Sequence, residues 1–75
     1  MAVELKKATK GVPLRVTELT GDASFQRFFR HVGVRKGDTL TLITIINRHC
    51  VINIKGSRYA MEDALADHVM VENHV

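Results

Sequence analysis

Seventy-five residues make one domain, and 45% hydrophobic content must supply its core at a size where burial barely outweighs chain entropy. Three Phe, one Tyr and no Trp leave Val, Ile and Leu to fill that core, which favours strands and argues against a helical bundle. Eleven basic residues against eight acids give a net charge of +3, too mild and too dispersed for a typical nucleic-acid module of this size.

Met1 to Lys10 is mixed, with Lys6, Lys7 and Lys10 close together, and is expected to be a lead-in pinned by Val3 and Leu5. Its start, Met-Ala-Val-Glu-Leu-Lys-Lys, has no apolar h-region, and no window approaches the length of a membrane span. One cysteine, Cys50, has no internal partner for a disulfide. A soluble protein of the reducing cytosol is therefore expected.

Val12 to Leu19 is the first predicted strand. Leu14 and Val16 share one face, and Pro13, which lacks an N–H, places the strand on an edge or delays its start. That edge is a candidate for pairing between chains. Gly21-Asp22 breaks the strand, and Asp22 or Ser24 can cap a helix. Phe25, Phe28, Phe29 and Val32 then fall at i, i+3, i+4 and i+7, an amphipathic stripe that plugs one end of the core. Gly33 fits the position where a left-handed backbone stops a helix.

Val34 to Asp38 is a turn, and Thr39 to Ile46 is the longest β-type run. Leu40 and Leu42 share a face, but Ile43, Ile45 and Ile46 change the phase, which predicts a bulge near Leu42–Ile43 or burial of both faces. Asn47-Arg48-His49 turns the chain into a partner strand over Cys50 to Lys55. Gly56 ends that strand, Ser57 is a second candidate cap, and Tyr59 to Ala66 is predicted helical from Ala60, Met61, Ala64 and Leu65. Val69 and Val71 mark a closing strand. Five short strands with two short helices predict a mainly β fold, a small barrel. Residues 1–10 form its lead-in and 73–75 a loose tail.

The order of these features resembles the FeoA family, the small cytosolic component of bacterial ferrous iron uptake. The likeness rests on Gly56, Ala60-Met61, Ala66, Val69 and Val71, and upstream on Val32-Gly33-Val34-Arg35-Lys36-Gly37. The family's turn commonly reads Leu-Gly-Leu-x-Pro-Gly; both glycines keep their spacing here, and Lys36 stands where proline is common. The Asn47–His49 turn is shorter than the family's. The resemblance covers Leu14 to Val71. It implies a five-stranded SH3-like barrel, a module that also resembles the C-terminal domain of DtxR-type metal-dependent repressors. It implies a non-enzymatic accessory that docks on the cytosolic, GTPase-bearing part of the FeoB permease and meets the membrane only through that partner.

Candidate metal ligands are His31, His49, Cys50, His68, His74, Glu62, Asp63 and Asp67. No Cys-x-x-Cys or His-x-x-x-His pair occurs, and adjacent His49 and Cys50 point to opposite faces of a strand. Asp63 and Asp67, at i and i+4, share a helical face, a spacing that exposed carboxylates also reach by accident. No cofactor is expected, beyond weak, transient binding of divalent metal. Cys50 lacks a positioned base and reads as a small apolar residue at a strand start. Gly33-x-x-x-Gly37 follows a helix, not a strand, so it is no phosphate cradle. For partner docking the candidates are Arg27, Arg30, Arg35 and Lys36, with Asn47, Arg48 and His49; the competing reading is a solvated helix face. Two alternative functions remain, a metal-responsive regulatory module and a nucleic-acid-binding barrel. The second lacks exposed aromatics on which bases stack.

Overall fold

A computed structural model describes residues 1–74; the last residue of the expected tail, Val75, lies outside them. The chain runs β1 (Val3–Glu4), a 3-10 turn η1 (Leu5–Lys7), β2 (Pro13–Leu19), α1 (Ala23–Val32), β3 (Thr39–Ile46), β4 (His49–Ile54), β5 (Ser57–Glu62), α2 (Asp63–Ala66) and β6 (Val69–Asn73). All six strands join one antiparallel sheet in the order β1-β6-β2-β3-β4-β5.

The mainly β, SH3-like reading with two short helices holds, with two corrections: among the described residues there are six strands, not five, and the sheet they form does not close into a barrel. The extra strand in the body of the sheet is β5, where the sequence pattern predicts helix. Only Met61 of β5 is buried, so no period-two alternation marks it, and Ala60, Met61, Ala64 and Leu65 imitate a helical stripe. Its true signature is the turn before it. Lys55 (φ 52°) and Gly56 (φ 80°) both take left-handed backbone, as a two-residue hairpin matched to strand twist requires. Ser57 therefore pairs with Ile54 and caps nothing. Asn47 (φ 49°) and Arg48 (φ 61°) build the same kind of turn between β3 and β4.

The edge assignment is also corrected. β2 lies between β6 and β3, and Pro13 is tolerated as its first residue. The expected bulge is present: Leu42 faces Ile52 and Thr44 faces Val51, leaving Ile43 unopposed. A second shift in β2 lies at Thr17.

The core follows the inner face of the sheet. Leu14, Val16, Leu40, Leu42, Cys50, Ile52, Ile54, Met61, Val69 and Val71 are buried there, with pairs such as Val16–Val71 and Cys50–Met61 directly opposed. Phe29, Val34, Leu5 and Ala66 complete the cluster, and Phe25 and Phe28 pack against it. The lead-in thus supplies a fully buried Leu5 and the short strand β1. At the other end, Asn73 belongs to β6, and the amide of His74 donates to the carbonyl of Pro13 at 3.0 Å.

Candidate functional site

The cationic residues are positioned from α1 and the turn after it. Asp22 caps α1 as expected, accepting from the amides of Ser24 (3.0 Å) and Phe25 (3.3 Å). The Ser24 hydroxyl also donates to it, and these bonds, the Ser24 side chain first, hold its carboxyl below the usual aspartate range. At the other end Gly33 (φ 92°) stops the helix, its amide and that of Val34 both donating to the Phe29 carbonyl at 2.9 Å.

Val34 is then buried and fixes the start of the turn. Asp38 closes it: its Oδ2 accepts from the Arg35 amide at 2.9 Å, and its own amide donates to the Arg35 carbonyl at 3.0 Å. Gly37 and Asp38 bond in turn to Val16 of β2. Lys55 reaches across from the β4–β5 turn, donating to the Gly33 carbonyl at 3.0 Å. The far wall is set by Gln26, whose amide donates to the carbonyls of Leu19 and Thr20, each at 3.0 Å.

These elements enclose a concavity of about 340 Å³. Its apolar floor is Leu19, Phe29 and Val34; Arg30, Arg35 and Lys36 stand around it, with Glu18 the one carboxylate. The structure therefore brings together three of the predicted docking residues. Arg27 is exposed on α1 and does not line the concavity. Asn47, Arg48 and His49 line a different hollow of about 300 Å³ with Glu62, Asp63 and Ala64. A ring nitrogen of His49, Nδ1, lies 2.8 Å from the Asn47 carbonyl, which can only accept, so Nδ1 carries the proton.

Asp63, Asp67, His68 and Cys50 each have a structural role. Asp63 and Asp67 do share a face, and Lys6 of η1 occupies it: Nζ lies 2.8 Å from Asp67 and 4.0 Å from Asp63. The bond to Asp67 raises the Lys6 pKa. Nothing in sequence spacing links Lys6 to residues so far along the chain, so this pair was not legible beforehand. His68 packs on the Phe25 ring at 4.2 Å, with Nδ1 3.0 Å from the Thr20 hydroxyl. Cys50 is buried, and burial pushes its thiol pKa up, away from the thiolate a nucleophile needs. Among the described residues, no three His, Cys, Asp or Glu side chains converge as a metal site would require. No helix among them is long and apolar enough to cross a membrane.

A family model described as the FeoA domain matches residues 3–73. Among solved structures, the fold is similar to an iron uptake regulatory protein (FeoA), at 24% identity and a TM-score of 0.87 over 99% of both chains. A FeoA-like protein from Clostridium acetobutylicum aligns at 12% identity and a TM-score of 0.84, covering 99% of this chain and 88% of that one. A manganese-dependent transcriptional repressor aligns at 16% identity and a TM-score of 0.89, but this chain spans only 42% of its length. No curated protein matches by sequence.

Proposed function

The chain belongs to the FeoA family, and we propose that it is a non-enzymatic cytosolic accessory of bacterial ferrous iron uptake, docking on the GTPase-bearing part of a FeoB-type permease. The observation that carries this reading is the family match across nearly all of the chain, residues 3–73. Ferrous iron is the system's cargo, and the accessory acts by protein–protein contact, with no cofactor.

The docking face we assign is the concavity under the end of α1. An apolar floor (Leu19, Phe29, Val34) ringed by Arg30, Arg35 and Lys36 suits an acidic segment that carries an apolar anchor. The floor supplies affinity, and the cations supply orientation and encounter rate. The Asn47–His49 turn contributes a second, separate contact.

The test is a titration of the purified protein against the soluble GTPase domain of the same organism's permease, followed by chemical shifts, with and without ferrous iron. Saturable binding with shifts at Arg30, Arg35 and Lys36 is expected. Charge reversal at Arg30 should weaken binding about fivefold, the equivalent of about 1 kcal/mol, and more than reversal at Arg27, which lies off the concavity. Equal effects at both positions, or none, would remove the concavity from the docking face. A second reading, a metal-responsive regulatory module, is favoured by the likeness to the manganese-dependent repressor. It requires binding that appears only when metal is present.

A further inference from the structure

The two ends of the sheet are built differently. β1 is blunted by its length, two residues. β5 has six residues, no proline and an unbroken register with β4 from Ser57–Ile54 to Glu62–His49. Its far side has no strand beside it among the described residues, and Ser57 through Ala60 are exposed.

The direction of its backbone groups follows from the ladder. Just past β5, the Asp63 amide donates to the Arg48 carbonyl at 3.0 Å, in the same register as the strand pair. Antiparallel alternation then turns Met61, Tyr59 and Ser57 toward β4 as bonded residues. Arg58, Ala60 and Glu62 are left with N–H and C=O aimed at the free side. Their side chains share the outer face, because Met61 is the buried one.

We infer that β5 pairs with β5 of a second copy of this chain, antiparallel about a two-fold axis at Ala60. This register places Ala60 against the partner's Ala60, and Arg58 against the partner's Glu62, twice. Every residue so paired has its backbone groups turned outward, giving six main-chain hydrogen bonds. Moving the axis by one residue either way keeps the parity but leaves only four, because Gly56 or Ala64 would have to enter the ladder. The charges agree with the longer register: cation meets carboxylate on both sides of the axis, and the small Ala60 lets the strands approach. Tyr59, 37% exposed, falls opposite the partner's Met61 on the inner face and is covered. A two-fold consumes both β5 edges and leaves only the two-residue β1 edges, so the assembly stops at a twelve-stranded dimer.

The contact area of one strand pair is small, so the dimer is concentration-dependent. The inference uses no part of the transporter reading, and the test needs no other protein. Sedimentation of the 75-residue chain from about 10 μM to about 1 mM should show a rise from monomer toward dimer. Ala60→Pro removes an N–H that β4 does not use and introduces a ring at the axis. It should leave the monomer's amide spectrum dispersed and abolish the dimer. Arg58→Glu should weaken dimerisation about fivefold by setting like charges opposite each other twice. Arg58→Glu with Glu62→Arg should restore it, which a generic surface effect would not do. A monomer throughout the range would overturn the inference. So would a dimer indifferent to Ala60→Pro, or a charge swap that fails to rescue.

Discussion

Leu5 decides whether the N-terminal segment is a lead-in or part of the core. It is fully buried, in the same cluster as the sheet's inner face. Leu5→Ala removes three buried carbons, about 2.4 kcal/mol at about 0.8 kcal/mol each. The cavity left behind adds to this, for a total of about 3 kcal/mol. A 75-residue domain is stable by about 4–11 kcal/mol. The substitution thus removes a quarter or more of the total and lowers Tm by about 12–24 °C. Urea unfolding followed by circular dichroism, with m unchanged, measures the loss directly. Lys7→Ala, at a neighbouring side chain that is 73% exposed, should stay within about 0.5 kcal/mol. A loss below about 1 kcal/mol for Leu5→Ala would refute the claim that this segment belongs to the core.

Two further perturbations test the frame of the cationic concavity and the acid limb of stability. Gly21 has φ 99°, and a Cβ there would sit 2.8 Å from the Phe25 ring; Gly21→Ala should cost at least about 1–2 kcal/mol in a thermal melt, and an unchanged Tm would contradict the packing of Phe25. Glu72 accepts from the Arg15 guanidinium across β2 and β6, and that bond lowers its folded pKa from 4.5, so its contribution is present above that value and is lost as pH falls through the folded pKa. Glu72→Gln should flatten the decline of stability below about pH 4.5, and an unaltered acid limb would show that the pair contributes nothing.

What was legible in the sequence was what a few neighbouring residues decide. The phenylalanine stripe, Asp22 as its cap, Gly33 as its stop and the phase slip at Ile43 all follow from spacing within one element, and each appears where expected. β5 was not legible, because an edge strand buries one residue and shows no alternation, while Lys55 is an unusual occupant of left-handed backbone. The place of β2 inside the sheet was hidden for another reason: β6, fifty or more residues on, pairs along its other side. The candidate site divides in the same way. Arg30, Arg35 and Lys36 converge because one helix end and one turn hold them. The meeting of Lys6 with Asp63 and Asp67 depends on tertiary packing that no local pattern reports.

The order of strands in the sheet has a consequence for how the molecule comes together in time. β3, β4 and β5 are joined by two-residue turns, so this meander closes only short loops and can form on the microsecond scale of hairpins. The other half is made of pairings between β6 and strands from the start of the chain, which must wait for long loops to close. Until β6 inserts, β2 has one open side and Val16 lacks its cross-strand partner Val71. The late strand is therefore the gatekeeper of the fold, and pulse-labelled exchange should find the amides of β4 protected before those of β6. Conditions that delay its insertion lengthen the interval in which the chain can pair with the wrong neighbour.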